Sequence, residues 1–141
     1  MTLVLAVHAF AAVFMTGVIW FVQVVHYPLF AGVGETGFAD YEARHQRLTT
    51  VVVLPPMLVE LVSALAIAVL LPAGVSRPLA LLGVGLVGLI WASTFLLQVP
   101  CHAKLARAFD ARAHRLLVRT NLLRAVLWSA RGGLALALLA G

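Results

Sequence analysis

Charge is what this chain has least of. Only 11% of its 141 residues are Asp, Glu, Lys or Arg, against about 25% in an ordinary soluble domain. None of the four occurs between Met1 and Gly34. Disordered chains are polar and charge-rich, so that class is excluded. Cysteine is nearly absent too. Cys101 stands alone, which rules out an intramolecular disulfide and any Cys-x-x-Cys metal or redox motif. No basic residue precedes the first apolar run, so MTLVLAVHAF is expected to open a retained helix and not a cleaved signal.

What is present is apolar: 63% of residues, with a mean hydropathy of +1.06. A soluble domain of this size would leave roughly a third of its unfolded-chain surface exposed, too much for this composition to tolerate. One all-α integral membrane domain over residues 1–141 is expected. The net charge is +5 and the pI near 10.7. The basic residues sit beside apolar segments, where orientation and lipid headgroups explain them, and nucleic acid is not expected as a partner.

A spanning helix needs about 20 mostly apolar residues. Four segments qualify, at about Thr2 to His26, Leu48 to Leu71, Pro78 to Val99 and Leu116 to Ala140. Pro55-Pro56 and Glu60 interrupt the second, and the proline pair is expected to bend it. Gly83, Gly85, Gly88 and Ala92 suit close approach of a neighbouring helix to the third. Arg44, Arg47, Lys104, Arg107, Arg112, Arg115 and Arg119 follow helices one and three, whereas the other side has only Arg77. The positive-inside rule makes those two connections cytoplasmic and both termini external, as in a bacterial-type inner membrane.

Neither connection reads as a loose linker. ADYEARHQRL, from Ala39, predicts an outward extension of helix two. In CHAKLARAFDARAHRLL, Leu105, Phe109, Leu116 and Leu117 oppose Lys104, Arg107, Ala111 and His114. That pattern predicts an amphipathic interfacial helix between helices three and four of a four-helix bundle. Pro100 disfavours helix at Val99, so a turn is expected there, aiming His102 into the mouth of the bundle.

Polar side chains inside a membrane are costly and mark functional sites. His26, His45, His102 and His114 fall on the cytoplasmic side, while His8 lies about 27 Å from His26 at 1.5 Å per helical residue. Glu42 and His45 are spaced i, i+3, and Thr49 continues their stripe; Thr94, Gln98 and His102 follow at i+4 steps. Gln23 stands near His26, and Asn121 near Arg124. Singly, such residues wet an interface or cap a helix; together they outline one site. Glu42-x-x-His45 is the ligand step of di-iron carboxylate bundles, but only one copy exists. A mononuclear site from His26, Glu42, His45 and His102 remains, suited to iron, copper or zinc. Gln98, Asn121 and Arg124 are expected to orient a substrate or an oxyanion.

Deeper charges carry a second expectation. A central Arg costs about 2.5–3.5 kcal/mol on insertion scales, so Arg124 and Arg131 should face inward. Glu60 should pair with Arg131 or Arg124, a proton relay being the alternative. Gly32–Gly37 and Gly83–Gly88 both match GxGxxG, but neither follows a strand, so neither is a dinucleotide fingerprint. Trp20, Trp91 and Trp128 are expected in the core or in cavity walls.

The stretch GVIWFVQVVHYPLF, the run Gln98-Val99-Pro100 with Leu105-Ala106, and Asn121-x-x-Arg124 resemble the small four-helix membrane proteins grouped with anthrone oxygenases. The likeness covers the whole chain in topology and about a dozen residues in motif. It departs at His102, where that group usually has Asn, and in lacking tryptophans before Asn121. The resemblance implies oxygenation or oxidation of a hydrophobic aromatic substrate, and the added histidine suggests a metal-using branch. His8, Gly17 and HYPLF also resemble the first helix of HemJ-type protoporphyrinogen oxidases, which would imply a haem ligand.

The expected function is therefore a membrane oxidoreductase, an oxygenase acting on a lipophilic small molecule that enters from the bilayer. The rival is a non-enzymatic carrier, channel or assembly subunit. It expects homo-oligomers joined through the Gly83/Gly85/Gly88 face.

Overall fold

The structure is a computed structural model that describes residues 2–141. Four helices carry nearly all of it: α1 (Thr2–Gly32), α2 (Phe38–Leu70), α3 (Arg77–Leu105) and α4 (Ala111–Ala140). Each is long and apolar enough to cross a membrane, and no strand occurs among the described residues. α1 packs on α2 and α4, and α3 packs on the same two. Ala9, Ala12 and Ala135 form one small-residue contact, letting α1 and α4 approach closely. At 33 residues, α2 is about 50 Å long, which includes the expected outward extension.

The helices are longer than composition suggests because two of them absorb a proline. α1 passes through a π-helical turn at Val22–His26 just before Pro28, and α3 does the same at Thr94–Gln98 before Pro100. Tyr27 N–H reaches back to Val22 O, and Val99 N–H to Thr94 O. Widening the turn by one residue accommodates the ring and the missing donor of the proline that follows. The expected turn at Val99 is therefore absent, and helix continues to Leu105.

The predicted interfacial helix does not form as a separate element. Its first half completes α3, a turn spans residues 106–110, and its second half opens α4. Asp110 ends the turn by accepting a hydrogen bond from Ala113 N–H at 2.7 Å, which holds its carboxyl below the usual carboxylate range. Leu105 and Leu117 are buried as expected, but Leu116 is exposed. α2 likewise runs unbroken through Pro55-Pro56. By i to i−4 counting those prolines leave the carbonyls of Val51 and Val52 without helix donors.

Gly83, Gly85 and Gly88 do not share a face. Gly83 is buried against Arg131, whereas Gly85 and Gly88 point outward into open space. A Cβ at Gly83 would stand 2.9 Å from Arg131 Nη1, and that guanidinium is pinned by Glu60 and His8. Gly83→Val is therefore expected to cost about 1–3 kcal/mol by overpacking, and Gly85→Val much less. Thermal unfolding of the two variants in detergent checks this, since equal losses would remove the packing argument. The tryptophans also separate: Trp128 is buried, but Trp20 is 40% exposed and donates to Ser129 Oγ at 2.9 Å.

Candidate functional site

The polar residues collect at the end of the molecule that holds the 33–37 and 106–110 connections. Glu42, fully buried on α2, sits 2.6 Å from His102 Nδ1 on α3. A carboxylate only accepts, so Nδ1 carries the proton and His102 Nε2 accepts from the Tyr27 hydroxyl at 2.8 Å. Gln46, one turn after Glu42, donates to Glu42 Oε1 at 3.1 Å and to the His102 carbonyl at 3.2 Å. His45 stacks on His102 with ring centroids 5.3 Å apart. Its Nδ1 is engaged by His26 Nε2 at 2.8 Å and by Thr49 Oγ1 at 3.0 Å.

Glu42, His45 and His102 form the one group of metal-ligating side chains found among the described residues, with ligand atoms within 4.8 Å of one another. Of the four expected ligands, His26 is outside this group, with its Nε2 2.8 Å from His45 Nδ1. The π-turn supplies the reason. From Val22 the next buried position falls five residues on, at Tyr27, so the tyrosine turns inward and His26 stays half-buried. His26 is displaced to the rim and orients His45 from behind.

The group fits a metal by its donors. Two imidazoles and one carboxylate on one side of a cavity make up the set used by mononuclear non-haem iron sites. Glu42 Oε2 is buried and has no partner, an open valence an ion would fill. Ligands at about 2.1 Å and right angles stand about 3 Å apart, so an ion would ease the 2.6 Å contact between Glu42 and His102. The nitrogen left for an ion on His45 is Nε2, because Nδ1 is held by His26 and Thr49.

A cavity of about 230 Å³ adjoins these residues. His45, His102, Tyr27, Gln98 and Arg124 line its polar side, with Ile19 and Met57 at its apolar floor. Thr50 and Val99, both exposed, lie at its edge, so it opens sideways between α2 and α3. Gln98 is fixed by donating to Thr120 Oγ1 at 2.8 Å. Arg124 Nη1 donates to Asn121 Oδ1 at 3.3 Å, and Asn121 Nδ2 donates to Gln23 Oε1 at 3.0 Å. Asn121 is absent from the cavity wall. Its side chain holds Arg124 from behind.

Three participants went unseen in the sequence. Tyr27 needed the π-turn to be known. Thr120 and Gln46 were not singled out, although Gln46 lies i+4 from Glu42. His114, expected on a solvated face, instead donates from Nε2 to the Tyr27 carbonyl at 2.7 Å.

Comparison with protein-family models, curated proteins and solved structures finds no match for the chain.

Proposed function

We propose that the chain is an integral membrane four-helix bundle and an oxygenase-type oxidoreductase, with one divalent ion held by Glu42, His45 and His102. The observation that carries this reading is the two-histidine, one-carboxylate group beside a cavity that opens sideways between two apolar helices. Exposed Val51, Val62, Val69, Leu81 and Leu96 give the outside of α2 and α3 an apolar surface, which supports burial in lipid. Such a mouth admits a lipophilic molecule without passage through water. Basic residues around the connections support a cytoplasmic site with external termini.

Iron is the ion favoured by this donor set, and when bound it would supply a centre for activating dioxygen. The likeness to the anthrone oxygenase group supports an aromatic substrate. An activated methylene flanked by aromatic rings balances simply: the CH2 and O2 become a carbonyl and one water, with no outside reductant. In the ion-free site Tyr27, His102 and Glu42 form a directed hydrogen-bond chain, and an ion taken up between Glu42 and His102 would replace the Nδ1 proton. Ile19 and Met57 exclude water from the floor. Gln98 and Arg124 orient the substrate oxygen.

Haem fits poorly. A cavity of about 230 Å³ is below the roughly 300–1,000 Å³ that houses drug-sized ligands, and a macrocycle is larger still. Metal analysis after purification in mild detergent without chelator tests the reading. About one equivalent of iron per chain is expected; less than about a tenth of an equivalent of any transition metal, with none taken up on anaerobic addition, overturns the metal assignment.

A further inference from the structure

The cavity contains an electrostatic imbalance that metal binding does not address. Two arginines are buried inside the helices. Arg131 is paired with Glu60. Arg124, only 5% exposed, has no carboxylate within ion-pair distance among the described residues. Its hydrogen-bond partners are both neutral, the Asn121 oxygen and the Tyr27 hydroxyl beside it, and its Nε has none. Glu42 is committed to His102 and Gln46. Gln98 keeps an unpartnered Oε1 on the same cavity but brings no charge. A buried cation without an anion is strongly disfavoured in a low-dielectric interior. Arg124 lies on the cavity wall, so a ligand there can supply the missing charge.

We propose that the cavity takes a lipophilic oxyanion, a carboxylate or phenolate whose negative oxygen pairs with Arg124 and whose apolar body leaves between α2 and α3. This rests on the reading of the cavity as the substrate site and narrows the substrate class. Asn121 and Gln23 hold the guanidinium in place from behind, so its charge is organised before the ligand arrives. Ile19, Val53 and Met57 supply walls for the body. A neutral ligand of the same shape would leave the guanidinium unmatched, which gives the site its selectivity.

The test uses 2-naphthoate and its neutral near-isostere 2-naphthamide, titrated into the full chain in maltoside micelles with chelator present and corrected for protein-free micelles. Naphthoate is expected to bind about tenfold or more tighter than naphthamide. Arg124→Met should abolish that preference with little effect on naphthamide, and Arg124→Lys should retain part of it. Arg119→Gln, on the exposed start of α4, controls for the basic collar and should keep the full preference. Equal binding of the two probes by the wild type overturns the proposal. So does retention of the preference in Arg124→Met, or a loss in Arg119→Gln as large as that in Arg124→Met. Should the Met variant fail to fold, the wild-type ratio and Arg124→Lys decide. Because the chelated protein holds no ion, failure here leaves the metal assignment standing, and absence of iron leaves the naphthoate result standing.

Discussion

Replacing Arg131 with methionine is expected to lower unfolding free energy by about 3–5 kcal/mol, the usual effect of removing one partner of a buried ion pair. Arg131 is 1% exposed and Glu60 is fully buried. The guanidinium also bonds His8, which therefore uses Nε2 as acceptor and donates from Nδ1 to Ser63 Oγ at 2.7 Å. The Ser63 hydroxyl in turn donates to the Val59 carbonyl at 2.6 Å. Loss of Arg131 strands the Glu60 carboxylate and the His8 acceptor together, inside helices that offer no water. Removing both charges is different. Glu60→Met with Arg131→Met eliminates the pair's desolvation cost and should be far less damaging than either single change, because buried pairs often break even against apolar replacements. Unfolding in detergent of wild type, both singles and the double checks the cycle. Additive losses would mean that the two charges stabilise independently and that the pair is not the unit.

His102→Ala should lower metal affinity by at least about a hundredfold, since it removes one of the three proposed ligands and leaves an incomplete donor set. His26→Gln acts from behind His45, and about a 10–100-fold loss is expected from a group that orients a ligand. His114→Ala should behave otherwise. Its imidazole holds a backbone carbonyl, so about 1 kcal/mol of stability is at stake and metal affinity should be unchanged. Competition with a chromophoric chelator separates the three. Equal affinities across the three variants would remove the reason for placing the site at this end.

The helices were legible because long apolar runs have few alternatives, and Arg131 with Glu60 was legible because a deep charge needs a partner. The i, i+3 step from Glu42 to His45 survived unchanged, since α2 is regular there. Errors followed the π-turns. The π-turn at Val22–His26 brings Tyr27 inward, a widening that no residue type in the sequence announces. The local rule for Pro100 predicted a break where α3 instead widened by one residue. His8 was placed near the far face without its partners, because Ser63 and Arg131 lie 55 and 123 residues away in sequence. The Gly83/Gly85/Gly88 spacing looked like one packing face. Gly83 alone turns inward, where it clears space for a guanidinium.

The central claim is that Glu42, His45 and His102 bind one ion together. X-ray absorption at the iron edge of the iron-loaded protein tests it most directly. The account predicts nitrogen and oxygen neighbours at about 2.1 Å, with outer-shell scattering from about two imidazoles per iron that falls to about one in His102→Ala. A sulfur neighbour from Cys101, or a shell of light atoms with no imidazole signature, would contradict it.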